Sequence, residues 1–320
     1  MRIASLLPSA TEMVHFAGAE SPQPLLVGVT HECDFPPGVE GLPHLTSSKI
    51  DHKTMTSREI DEAVGEMSDA GSLYALDAKL LEELCPDLVV TQGLCEVCAV
   101  SESLVKRAVS RLSVRPEVLI LNPTSMDDVL EDSLRIARAI GTGDATGKKV
   151  AGLRSKLDAV GGTVSGLGRP RVACIEWLDP PFSAGHWVPE MVRLAGGEDV
   201  LAAPGEASRR ISWEEVAEAE PEVVVLMPCG FGVQRAMEEV PALGEIPAYQ
   251  SLAAVKKGNV WVVDANSHFS RPAPRLVDGV EILAKLLHPG AFPGKESRAS
   301  EALRLTNSST DIPTNGRRFG

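Results

Sequence analysis

The feature that most constrains this chain is a weak internal echo between its two halves. Thr11-Glu12-Met13-Val14-His15-Phe16-Ala17-Gly18 returns as Pro189-Glu190-Met191-Val192-Arg193-Leu194-Ala195-Gly196. Pro86-Asp87-Leu88-Val89-Val90 returns as Pro221-Glu222-Val223-Val224-Val225. The offsets are 178 and 135 residues, so the first half holds 43 residues that the second lacks, placed around Glu32–Ser57. Repeated units of this kind imply two similar lobes and a cleft between them. Strands alternate with helices in both halves, which predicts mostly parallel sheets whose carboxyl ends carry the ligand site.

Local signals mark the elements. Ile3–Leu7 reads as a strand that Pro8 ends, and Ser9 with Glu12 forms a capping box for a helix closed by Gly18. Leu25–Thr30, Asp87–Thr91, Val118–Leu121, Val172–Ile175, Val223–Met227 and Val260–Val263 read as further strands. Thr56 with Glu59, Ser125 with Asp128 and Ser212 with Glu215 open helices. The pattern from Ser125 to about Val160, interrupted at Gly141–Gly147, predicts one kinked helix or two nearly collinear ones. The expected organisation is a lobe over 1–122, a connecting helical region over 123–168, a second lobe over 169–290, and a disordered tail over 291–320.

The segment Cys174–Gly197 concentrates aromatic residues. It reads as a strand, a loop over Asp179–Trp187 that its prolines keep out of regular pairing, and a helix from Pro189 that stops at Gly196–Gly197. Aromatic residues make up only 4% of the 320 residues, yet Trp177, Phe182, His186 and Trp187 fall in this one segment. Aromatic rings beyond a strand's carboxyl end line ligand pockets, whereas the alternative is that they fill a core.

A net charge of −13 argues against nucleic acid as partner, because phosphate binding needs a basic face. No apolar run approaches the roughly 20 residues that span a bilayer, so no membrane insertion is expected. The short run Ile3–Leu7 is not a signal peptide's apolar core, which predicts a cytoplasmic protein with reduced cysteines. A monomer is expected. Cys33, Cys95, Cys98 and Cys229 all follow strands, and one Cys-x-x-Cys among four thiols suits zinc or an iron–sulfur cluster. The alternative is four thiols lining a pocket. Cys85 and Cys174 are expected to pack as small apolar residues.

The chain resembles the cobalamin- and iron-chelate-binding family of ABC-transporter substrate-binding proteins over about residues 1–290. The resemblance rests on Leu7-Pro8-Ser9 with Thr11-Glu12, Cys33-Asp34-Phe35-Pro36-Pro37, Pro86-Asp87-Leu88-Val89 and Asp179-Pro180-Pro181-Phe182-Ser183-Ala184-Gly185. It rests also on Ala195-Gly196-Gly197-Glu198 and Ser270-Arg271-Pro272-Ala273-Pro274-Arg275. It implies two Rossmann-like lobes joined by a long helix and a corrinoid held between them without catalysis. The matching positions are Ser9, Phe35, Phe182, Trp187 and Phe269, joined by Trp177, His186 and Arg271 from the loops that carry the motifs. Other readings on the same scaffold are a metal- or cluster-binding protein and a corrinoid-modifying enzyme.

Relatives that dock on a permease present one glutamate per lobe. Glu214 fits that pattern, but the first-lobe position is Lys79, whose charge would repel an arginine, although Glu82 and Glu83 are close by. Ordinary permease docking is therefore not expected.

Overall fold

The computed structural model describes residues 1–18, 25–52, 54–68, 73–93, 100–294 and 297–305. The first lobe is built on a four-stranded parallel sheet in the order Leu26–Gly28, Ile3–Ser5, Leu88–Gln92, Glu117–Leu121. In the second lobe, Arg171–Leu178, Val223–Leu226 and Val260–Val263 run parallel at the centre of a larger sheet. Their apolar runs are buried, as expected for strands covered on both faces. The expected two-lobed α/β architecture is therefore what the chain adopts.

Three capping boxes form as the sequence predicts, at Thr56–Glu59, Ser125–Asp128 and Ser212–Glu215. Ser9–Glu12 does not. The helix there begins at Pro8, Ser9 is buried within it, and the Glu12 carboxylate turns toward the other lobe.

The connection between lobes also differs from expectation. Helix Met126–Ile140 ends where Gly141 adopts φ 78°, with its N–H bonded to the carbonyls of Ala137 and Arg138. This left-handed cap, cheap for glycine, turns the chain back on itself. Helix Gly143–Val164 then runs antiparallel to its predecessor, and Arg154 reaches Asp127 at 3.2 Å. Its 22 residues span about 33 Å. Lys149 holds the carbonyl of Phe16 in the first lobe at 3.0 Å, and Lys156 pairs with Asp278 and Glu281 in the second. One helix thus braces both lobes.

Two segments expected to be irregular are ordered strands. Pro181–Ser183 folds back antiparallel on Arg171–Leu178, with proline at the strand's first position, where a missing N–H is tolerated. Ala302–Leu305, within the expected disordered tail, pairs antiparallel with Val260–Val263. Ala302 is buried there, Leu303 and Leu305 pack on the second lobe's core, and Arg304 lies over Trp261. Leu303 and Leu305 share one face and alternate with Ala302 and Arg304, the two-residue period of a strand.

The principal core is shared. Ile3, Met13, Leu88 and Leu121 of the first lobe pack in one apolar cluster with Val172, Trp187, Met191, Phe269 and Leu283 of the second. A second cluster covers the outer face of the second lobe's sheet, and it includes Ile60, a first-lobe residue by sequence. Cys174 packs in the interior as expected, whereas Cys85 is exposed at a helix end, with its thiol directed at the carbonyl of Glu82.

Candidate ligand cleft

Loops beyond the strands' carboxyl ends bring the two lobes together. From the first lobe come Thr30–Phe35; from the second, Trp177–Pro180, Pro228–Gly232 and Asp264–Ser270. The closest polar contact is a buried ion group. Glu12, 2% exposed, accepts from Arg275 at 2.8 and 2.5 Å and from Arg271 at 3.3 Å. Arg271 also binds the Asp34 carboxylate and donates to the Glu32 carbonyl at 3.2 Å, while Asn266 donates to Asp34 at 2.9 Å. Burial opposes charge on Arg271, but Asp34 and Glu12 outweigh it and hold the guanidinium firmly protonated. Burial would likewise raise Asp34; the Arg271 contact prevails and holds this carboxyl below its ordinary range.

The aromatic residues divide into two groups. Trp187, 6% exposed, donates its indole N–H to the carbonyl of Phe269 at 2.8 Å, and Phe269 is 2% exposed. Both belong to the shared core and offer no free face. Phe35, Trp177 and Phe182 are half-buried. Phe35 lies under the Arg275 guanidinium at 4.2 Å, with His15 against its edge. Trp177 and Phe182 are partners on adjacent strands. Trp177 packs on Phe231, which carries Arg235 over its ring at 4.3 Å, and Phe182 lies beneath Arg210.

His186 sits in the left-handed region at φ 54°, stacked on Trp187. Its backbone exchanges bonds with Gly205 and Glu206, and burial pushes its ring pKa down. It follows Ala184, whose N–H bonds the Cys174 carbonyl back along the strand from its carboxyl end. His31 packs against Tyr74 and bonds Thr46 at 2.8 Å, in a shallow pocket that also includes Pro8 and Thr30. Ser9 is buried and Arg271 is committed to its carboxylates, so of the eight expected ligand residues Phe35, Trp177 and Phe182 are those placed at the strand-end loops with accessible surface.

Of the four thiols expected to form a centre, Cys33 and Cys229 fall among the described residues. Cys95 and Cys98 lie outside the described residues. Cys33 is buried between the hydroxyls of Thr11 and Thr30, each 3.1 Å away, and burial pushes its thiol up. Cys229 is half-buried, its N–H on the carbonyl of Glu176. Among the described residues no group of three or more His, Cys, Asp or Glu is placed to hold a metal ion. The zinc or iron–sulfur reading therefore has no support.

Sequence reasoning missed one whole element. Antiparallel strands Thr46–Ser48 and Tyr74–Leu76 form a ribbon on the first lobe. From it helix Ser57–Ser68 reaches the second lobe, where the Ser57 carbonyl accepts the Trp177 indole N–H at 3.1 Å. Arg58 pairs with Asp179, Asp61 with Arg210, and Ser57 with Glu239. The surplus residues near Glu32–Ser57 signalled an insertion, but nothing local in them names its docking place.

Two lobes with parallel central strands, carboxyl ends turned toward each other and one bracing helix, define the class of fold. The chain belongs to the periplasmic binding protein family, whose profile matches residues 75–267. It is 27% identical over 170 residues to a cobalamin-binding protein of Halobacterium salinarum, a match covering 52% of this chain and 45% of that one. The chain thus matches less than half the length of this curated relative. Among solved structures it resembles the periplasmic vitamin B12 binding protein of Vibrio cholerae, with a TM-score of 0.65 and 21% identity over 91% of this chain and 98% of that one. It also resembles a periplasmic heme binding protein from Pseudomonas aeruginosa, with a TM-score of 0.68 and 20% identity over 95% and 99%. These likenesses establish the fold. A periplasmic family and periplasmic structural neighbours overturn the expectation of a cytoplasmic protein. No helix among the described residues is long and apolar enough to cross a membrane.

Proposed function

We propose that this chain binds cobalamin or a related corrinoid in the interlobe cleft and carries out no chemistry on it. The observation that supports this most is that both lobes offer half-buried aromatic faces at their strand ends, Phe35 on one side and Trp177 and Phe182 on the other. Broad, flat, partly apolar ligands suit such surfaces, with polar groups such as Asp34 and Asn266 at the rim. The similarity to a cobalamin-binding protein points to the corrinoid within that ligand class.

Glu214 is exposed on the short helix Trp213–Glu218, whereas Lys79 pairs with Glu83 at 3.7 Å. This asymmetry favours a binding protein that does not dock on a permease through a glutamate from each lobe.

The test is calorimetric titration of the purified protein with cyanocobalamin, a corrinoid precursor, and heme in parallel. Saturable one-to-one binding of a corrinoid, tighter than heme, supports the reading. Binding of heme alone, or of none of the three by folded protein, overturns it.

A further inference from the structure

The arm that carries helix Ser57–Ser68 is rooted in one lobe and clasped to the other. Its root is firm. The ribbon Thr46–Ser48/Tyr74–Leu76 is tied to the first lobe by backbone bonds from Leu45 to Val29 and from Asp77 to Leu45. Its far end lies on the carboxyl end of strand Arg171–Leu178, the edge that faces the cleft. Trp177, one of the three aromatic residues with accessible surface there, spends its one side-chain donor, the indole N–H, on the arm's Ser57 carbonyl.

The clasp is largely polar. Of the arm's described apolar side chains only Ile60 is fully buried, with Ile50, Met55 and Val64 partly so. Polar attachments among the described residues include two exposed pairs, Arg58 to Asp179 at 2.9 Å and Asp61 to Arg210 at 2.8 Å, and two more sheltered contacts, Ser57 to Glu239 at 2.8 Å and Arg235 to the Met55 carbonyl at 2.6 Å. Arg58 and Arg210 are 66% and 60% exposed, and ion pairs that open to water are individually weak and screened by salt. The buried Glu12–Arg271–Arg275 group and the shared core join the lobes far more durably. The lobes therefore share contacts that do not depend on the arm.

We propose that this arm is a latch over the cleft, and that its lifting sets how fast ligand enters and leaves. The inference rests on the corrinoid reading for the identity of the ligand, but the arm's opening is measurable without one. Each lift breaks the Arg58–Asp179 and Asp61–Arg210 pairs and frees Trp177 to meet a ligand ring.

The experiment compares the full chain with Asp61→Arg and with the double variant Asp61→Arg/Arg210→Asp, which restores the pair with reversed charges. Hydrogen exchange is followed at Ser57–Ser68, with helix Gly143–Val164 as internal control, and cyanocobalamin association and dissociation are followed by stopped flow. Asp61→Arg is expected to speed exchange in the arm about tenfold, leave the bracing helix unchanged, and raise both ligand rates several-fold. The double variant is expected to restore both toward the original values. An arm whose exchange is unmoved by Asp61→Arg overturns the latch, as does a loosened arm whose ligand rates stay within twofold. Failure of the unmodified protein to bind cyanocobalamin instead overturns the corrinoid reading and the gating drawn from it, a result distinct from binding with unchanged rates.

Discussion

Glu12 of the opening helix and Arg275 of the second lobe meet in a paired contact, Nε to one carboxylate oxygen at 2.8 Å and a terminal nitrogen to the other at 2.5 Å. The glutamate is buried and Arg271 shares it, so the two guanidinium groups are paired with this single carboxylate and, for Arg271, Asp34. Removing one partner of a buried pair leaves the other uncompensated, at a cost of about 3–5 kcal/mol. Glu12→Ala should destabilise the protein by that amount in urea denaturation. A loss below about 1 kcal/mol would show that water reaches the arginines and that they need no partner.

Trp177 and Trp187 should separate site from core. Trp177→Ala is expected to weaken corrinoid binding by about 1–3 kcal/mol, the scale of one large buried side chain, with a smaller effect on folding. Trp187→Ala opens a cavity in the shared core and should cost about 3–5 kcal/mol of stability. Calorimetric titration and thermal unfolding of both variants check the contrast. Equal stability losses would remove the distinction.

Asp199 gives the protein an inverted acid response. Burial raises its carboxyl to about 6, despite bonds from the Leu201 and Ala202 amides to one oxygen, and the other oxygen is buried without a protein partner. A folded-state pKa above the unfolded value of about 3.9 means the folded protein binds the proton more tightly. This contribution is therefore present at low pH and is lost as pH rises from about 4 through 6, leaving a deficit of about 3 kcal/mol at pH 7. Asp199→Asn keeps the acceptor oxygen and should be more stable than the unmodified protein at pH 7, with the advantage vanishing near pH 4. Urea midpoints at the two pH values are the measurement; an advantage that does not shrink on acidification rules out this account.

Gly185 is held by contact. A methyl group there would lie 2.7 Å from the carbonyl carbon of Ala207 and the oxygen of Glu206, both backbone atoms that cannot swing aside. Gly185→Ala should cost about 1–3 kcal/mol, as overpacking does, and should loosen the loop that holds His186. Thermal unfolding, with hydrogen exchange at 184–187, reports both effects.

Much of this fold was legible because its signals are local. Ser125 with Asp128 and Ser212 with Glu215 cap helices whatever the rest of the chain does. The apolar runs at Val172–Ile175 and Val223–Leu226 become strands because their pattern and buried length leave little else. Ser9 and Glu12 show where local reading ends: the same Ser-x-x-Glu spacing is present, but Glu12 answers to arginines 259 and 263 residues away. Trp177 and Trp187 likewise occupy one short segment and differ only in what the distant chain lays over them, Ser57 on one and Phe269 against the other. Gly141 was visible as an interruption, but the direction of the chain after it depends on a left-handed φ that spacing does not encode.

The arm also imposes an order on the making of the protein. Ile60, Met55 and Val64 pack in the second lobe's apolar cluster, and Ser57 awaits an indole 120 residues further along the chain. At a synthesis rate of about 5–20 residues per second, that partner emerges on the order of 10 s later. Through that interval the nascent first lobe carries an amphipathic helix whose Ile60 and Ser57 still lack their second-lobe partners. A protein cut short before Arg171 would never gain those partners, and its arm would have nothing to close on.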